Sequence, residues 1–219
     1  MSPAVWFCST GLVHPSLLAR VKALAAVRTA VANASRLMGR GSPRVRHVHG
    51  LHGLRRAFRS DAALVVVYLH RRRDAPILVE LAERYVAAGG RVLALHAATA
   101  SFRASERWTW LLGGRFVGHG PVVEQTLRRE SDAGGRCEEL PQRIRLRDET
   151  YRHELVGSPD VWYRRDDGEP AVWLVGGDSP RVAYFAPGHR ARVWAHASVR
   201  RVLAAIIAAL TAEGRTARI

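Results

Sequence analysis

Residues 62–69, AALVVVYL, form an unbroken apolar run of strand formers. The absence of polar alternation predicts burial on both faces, as in a parallel sheet covered by helices. Downstream, Pro76–Ala88 carries Ile77, Leu78, Leu81 and Val86 at helical spacing and stops at Gly89-Gly90. Val92–Leu95 then reads as a short buried strand that runs straight into His96. Upstream, Ala4–Ser9 (AVWFCS) reads as a strand. Pro15–Ser35 reads as a helix with Leu17, Leu18, Val21, Leu24 and Ala25 on its apolar face, Leu37 one turn on and Pro15 in its first turn. Gly39–Pro43 breaks that helix, and Arg44–Leu51 is a weaker strand with His47 and His49 toward solvent. Strand–helix alternation of this kind predicts an α/β fold, doubly wound, with right-handed crossovers.

The second half has a different rhythm. Trp108–Leu112 reads as a helix, and Arg115–Val117, Val122–Arg128, Val161–Arg164, Ala171–Val175 and Arg181–Phe185 read as short strands. The turn sequences DDGEP (166–170) and GGDSP (176–180) separate the later ones. Val199–Thr211 closes as a helix with Val202, Leu203, Ile206, Ile207 and Leu210 apolar. Without repeats or low-complexity linkers, residues 1–219 are read as one domain, a mainly parallel sheet with a β-rich C-terminal half.

The chain carries a formal net charge of +15, which suggests a polyanion partner. Lys22 is, however, the only lysine among 34 cationic side chains, a pattern of compositional bias rather than of phosphate recognition. No helix-turn-helix, zinc-finger or aromatic–basic motif accompanies the arginines, so no specific nucleic acid is expected. Only Cys8 and Cys137 are present, neither in a metal-type spacing, and the N-terminus lacks a signal peptide's apolar run. The longest apolar stretch, Val202–Leu210, is far short of the ~20 residues that span a bilayer. A cytoplasmic protein with no membrane partner is the expectation, self-association as a homo-oligomer being left open.

Ligands of open α/β sheets bind beyond the carboxyl ends of the strands. His96 stands there, at the strand-to-helix turn that holds the nucleophile elbow of hydrolases and amidotransferases. The turn reads His-Ala-Ala, without the Cys or Ser of that mechanism. A buried histidine bonded to backbone is the plain alternative. His119 ends LLGGRFVGH, Asp148, Glu149 and Tyr151 form DETY, His189 lies in PGHR, and His196 follows in VWAHAS. Histidines and a carboxylate converging on one sheet edge could serve as acid and base or hold a divalent metal such as zinc. Asp148 and Glu149 could equally pair with Arg145, Arg147 and Arg152 on the surface.

LALHAATASF, WTWLLGGRFVGHGP, DETY and RVAYFAPGHRARVWAHASVRRVL, in that order over roughly Gly89 to Leu210, resemble the ThuA-like (trehalose utilisation) family. The resemblance implies a class I glutamine amidotransferase-like, flavodoxin-related three-layer fold without the amidotransferase triad. It implies His96, His119, Glu149 and His189 as catalytic positions and Tyr151 as a hydroxyl donor in the DE-x-Y motif. His14, in GLVHPS, matches a histidine after the first strand. It further implies a role in disaccharide metabolism beside sugar oxidoreductases acting on keto-sugars, with divalent metal bound by some members. Trp108, Trp110 and Trp194 are candidate stacking faces for a sugar ring. Three functions compete: an enzyme acting on a carbohydrate, a non-catalytic sugar- or partner-binding module, and an arginine-driven nucleic-acid binder.

Overall fold

The computed structural model describes residues 4–10, 15–70, 73–130 and 140–212. Among these residues, nine strands and five α-helices alternate through the first half and then give way to hairpins. The first half runs β1 (Val5–Ser9), α1 (Leu17–Leu37), β2 (Val45–His49), α2 (Gly50–Phe58), β3 (Leu64–Tyr68), α3 (Pro76–Ala87), β4 (Val92–Leu95) and α4 (Glu106–Leu112). The second runs β5 (Gly114–Arg129), β6 (Arg143–Leu155), β7 (Asp160–Arg165), β8 (Pro170–Val175), β9 (Val182–Phe185) and α5 (Ala197–Thr211).

All strands join one sheet of order β2-β1-β3-β4-β9-β8-β7-β5-β6. The pairs from β2 through β9 are parallel, so β9 supplies the fifth strand of a flavodoxin-type order. From β9 outward every pair is antiparallel. β9 is therefore a seam, parallel to β4 on one edge and antiparallel to β8 on the other. The central strands β1, β3, β4 and β9 are buried at every position. Helices α1 and α5 pack together on one face, while α2 packs on α3 and α3 on α4. The expected mainly parallel sheet of the first half and the β-rich second half are both present.

Several local expectations are corrected. α1 buries its small side, Ala19, Ala23, Ala26, Val27, Ala30, Val31 and Ala34. Leu17, Leu18, Val21 and Leu37 are exposed. Alanines let the helix backbone approach α5 closely, and that proximity outweighs the larger side chains on the other side. Pro15 precedes the helix rather than starting it, because Ser16 is the N-cap and accepts from the Ala19 amide at 3.2 Å. α3 is likewise rotated from the expected stripe: it buries Leu78, Val79, Ala82 and Tyr85 and exposes Ile77. α2 was not expected, since GLHGLRRAF is short and holds two poor helix-forming glycines; tertiary burial of Leu54, Ala57 and Phe58 fixes it. The two segments expected at 115–117 and 122–128 belong to one long strand, β5, and its partner β6 was not foreseen.

β5 and β6 form the feature that places the site. Their register shifts twice, between Phe116 and Gly118 and between His119 and Val122. Such bulges bend a strand and strengthen its twist. β6 buries Ile144, Leu146 and Asp148 in one phase and Tyr151 and His153 in the other. Although β6 is four places from β9 in the sheet, Asp148 reaches the loop that follows β9. The antiparallel extension thus curls back over the carboxyl edge of the parallel half.

No helix among the described residues is long and apolar enough to cross a membrane. Cys8 lies on β1 with no accessible surface, and burial pushes its thiol well above the ordinary value. A thiolate is the reactive form, so in a Cys137→Ser background Cys8 should resist an aromatic disulfide reagent until denaturant unfolds the chain. Rapid labelling of the native protein would contradict this packing.

Candidate functional site

His96 occupies the turn directly after β4 with φ of +45°, a left-handed conformation that costs a non-glycine residue about 1 kcal/mol or more. The cost is met by fixed surroundings. Its carbonyl accepts from the Tyr184 hydroxyl at 2.8 Å, and that hydroxyl belongs to a closed group with Thr99 at 3.0 Å and His153 at 3.1 Å. His153 is buried and its basicity is depressed to about 3, chiefly by desolvation, so it stays neutral within the group. The His96 ring is fully buried, and its Nδ1 donates to the Ala186 carbonyl at 2.8 Å. That bond selects the tautomer whose Nε2 carries the lone pair, and Nε2 points at Glu149 Oε2, 3.6 Å away. Desolvation, opposed by the Ala186 bond and the Glu149 charge, lowers its pKa to about 4. One nitrogen of His96 is thus bonded to backbone and the other faces the carboxylate.

Glu149 is the hub. Its Oε2 is 3.2 Å from His189 Nδ1, and its Oε1 is 3.9 Å from His119 Nδ1. Burial raises the Glu149 carboxyl, but the hydrogen bond and charge of His189, then His96 and His119, outweigh it and hold the group below its ordinary value. His189 is held above its ordinary value, first by its hydrogen bond to Glu149. His119, more than half exposed, forms the outer rim and sits 3.1 Å from the Gly120 carbonyl.

Asp148 does not pair with surface arginines. Fully buried, its carboxylate accepts from the backbone amides of Gly188, His189 and Arg190 at 2.5, 3.1 and 2.9 Å. Burial pushes its carboxyl up, and the three amide donors oppose that. The loop is pinned from the other side too, since the Tyr68 hydroxyl donates to the Gly188 carbonyl at 2.6 Å. Gly188 has φ of +150°, and a Cβ there would lie 2.5 Å from the Trp194 ring and 3.1 Å from the His96 Cβ. Phe116, Tyr151 and Ala100 make a small apolar cluster apart from the main core. Tyr151 stacks on His96 with ring centroids 4.3 Å apart and is pushed strongly upward by desolvation, so its hydroxyl stays protonated.

Of the residues singled out in the sequence, the structure brings together His96, His119, Glu149, Tyr151 and His189. Trp108 and Trp194 are not available as stacking faces: they are 2% and 1% exposed, and the Trp108 indole donates to the Ala98 carbonyl. Each fills a gap in the core, as large aromatic side chains usually do. Trp110 is exposed on α4 beside Gly157, where an added Cβ would lie 3.5 Å from its ring. His196 caps α5 through Nδ1, which accepts from the Ser198 amide. His14 lies outside the described residues. Asp148, Gly188, Tyr184, Thr99 and His153 were not foreseen as supports. Only the adjacency of Asp148 to Glu149 and the Pro-Gly before His189 hinted at them.

His96, Glu149 and His189 each offer a ligand atom, and the three atoms lie within 4.8 Å of one another. Two imidazoles and one carboxylate match a catalytic divalent-metal donor set that leaves a position open to water or substrate. The Nδ1–Ala186 bond is the kind of outer contact that orients a ligating histidine. The residues present therefore fit a divalent ion.

The sequence model of the family described as trehalose utilisation, ThuA, matches residues 62–208. The chain belongs to the ThuA family. Its fold is similar to that of a ThuA-like protein from Bacteroides uniformis, at 12% identity and a TM-score of 0.68 over 98% of this chain and 95% of that one. A ThuA-like protein from Parabacteroides merdae aligns at 18% identity and 0.67, covering 95% and 90%. A glutamine amidotransferase from Thermotoga maritima aligns at 11% identity and 0.52, covering 94% and 96%. At such identities these likenesses concern the fold. No curated protein matches the chain.

Two outcomes follow. Gly188→Ala should lower stability by about 1–3 kcal/mol in chemical denaturation, because the added Cβ meets fixed rings and strained backbone. The second concerns pH. His189 is raised above 6.5 in the folded state, so its contribution is complete below 6.5 and fades as pH climbs through the raised value. Glu149 is lowered below 4.5, so its contribution is complete above 4.5 and fades as pH drops through the lowered value. With chelator present, the stability deficit of Glu149→Gln should thus be largest between pH 4.5 and 6.5 and shrink at higher pH. A deficit independent of pH from 5 to about 9 would reject the pair.

Proposed function

We propose that this ThuA-family protein holds a divalent metal ion on His96, Glu149 and His189 and acts on a carbohydrate at that centre, as part of sugar utilisation. The observation that carries the reading is the convergence of one ligand atom from each of those side chains, supplied by the turn after β4, by β6 and by the loop after β9, within 4.8 Å. A sugar derived from trehalose or related to it is the substrate class in keeping with the family's description, and the reading extends it to keto-sugars. When bound, a divalent ion supplies Lewis-acid polarisation of a sugar carbonyl or hydroxyl.

The chain's own groups divide the remaining work. His96 and His189 present nitrogens whose orientation is set by Ala186 and Glu149. His119, with Nδ1 turned to Gly120, has Nε2 to accept or return a proton at a substrate hydroxyl from the open rim. Tyr151 binds as a hydrogen-bond donor, its hydroxyl remaining protonated. The amidotransferase reaction is not part of this reading, since the elbow position carries an imidazole already committed on Nδ1.

Calorimetric titration of chelator-treated protein with zinc, alongside the visible spectrum of the cobalt form, tests it. One ion per chain should bind, and Glu149→Ala or His189→Ala should lose at least about tenfold in affinity with the fold intact by circular dichroism. His119→Ala should retain the metal but lose turnover of keto-sugar substrates. Unchanged metal affinity in both ligand variants would sink the proposal. A metal-loaded protein that returns every bound sugar unmodified would be a binding module instead.

A further inference from the structure

We infer that the carbohydrate taken by this site carries an anionic group, a phosphate ester or a carboxylate, and that Arg103 receives it; the inference rests on the functional reading above. Among the described residues only His96 and Phe102 have positive φ without being glycine, and both lie in the segment that leaves β4. Strained backbone of this kind persists where surroundings over-determine it, and it gathers at ligand sites. The first strained residue aims the His96 ring at Glu149. The second, Phe102, is locked by burial and by edge-on packing against Trp108, with centroids 5.2 Å apart and planes at 86°. The residue it delivers is Arg103.

The Arg103 guanidinium lies 4.6 Å from the centre of the Phe116 ring. Phe116 in turn packs on Tyr151 at 4.6 Å and lies 6.1 Å from His119. The cation therefore stands one aromatic ring from the two residues that border the proposed substrate position. It is exposed, and among the described residues no carboxylate lies within ion-pair distance of it. Neighbouring arginines differ: Arg107 pairs with Glu83, and Arg115 with Glu106 and Glu154. The acids of the site are also committed, Asp148 to three amides and Glu149 to histidines. A guanidinium oriented by an aromatic face, with its N–H fork open, suits bidentate recognition of phosphate or carboxylate.

The test titrates the zinc-loaded 219-residue chain with glucose, gluconate and glucose 6-phosphate, in wild type, Arg103→Ala and Arg103→Lys. Wild type should bind one or both anionic sugars about tenfold or more tighter than glucose, the preference shrinking in high salt. Preference for both anions indicates charge recognition, and preference for one identifies phosphate or carboxylate as the source. Arg103→Ala should bring all three sugars to one affinity, and Arg103→Lys should restore part of the difference. Equal binding of the three by wild type, or a preference that survives Arg103→Ala, overturns the inference while leaving the metal reading intact. Zinc titration run first separates the two: absence of zinc binding in wild type removes the metal reading and this inference with it.

Discussion

The carboxylate of Asp148, with its hydrogen bonds to three successive backbone amides, is the interaction on which the site depends. It belongs to β6, at the outer end of the sheet, and its partners follow β9 at the centre. A buried carboxylate is tolerable only with its acceptor sites filled, and loop amides left unbonded would be costly in their turn. Each side satisfies the other. The consequence is a fixed position for the next residue on each chain segment: Glu149 beside Asp148, and His189 beside Gly188. The ion pair between Glu149 and His189 is therefore a product of backbone geometry set one residue away.

Four supports converge on one small volume. The Tyr184–Thr99–His153 group holds the carbonyl of His96, the Ala186 carbonyl orients its ring, and Tyr151 stacks against it. Tyr68 closes the loop around Gly188. Such arrangements leave the clustered side chains few alternative rotamers and hold them in one geometry. The two register shifts in the β5–β6 hairpin bend the extension far enough for these groups to meet.

Much of this was legible in the sequence, and unevenly so. AALVVVYL and the run into His96 declared the parallel half, because strands buried on both faces have no polar alternation to mask them. His96, His119, Glu149 and His189 stood out through chemistry and order along the chain. The helix faces of α1 and α3 were misjudged for a shared reason. Apolar spacing reveals a periodic face, yet the choice between an alanine side and a leucine side depends on how close the neighbouring element comes. β6 was hidden because RIRLRDETYRHEL is charged at most positions, and its pairing is long-range in sequence. The tryptophans misled because an aromatic ring serves a core as readily as a sugar, and only burial tells which. The supports beneath His96 come from positions 99, 153 and 184, which no local motif connects.

The placement of β6 gives part of the large positive charge a mechanical meaning. As the last strand of the sheet it is paired to another strand, β5, on one side alone. Bare edges of this sort invite a strand from another molecule to add on, the first step of non-native assembly. Arg143, Arg145, Arg147 and Arg152 are exposed along it, alternating with Ile144, Leu146 and the site residues. Two identical edges brought together would stack like charges along their length. A chain that must extend a sheet to bring Glu149 to the histidines thus carries, on the same strand, the electrostatic means of keeping that sheet to itself.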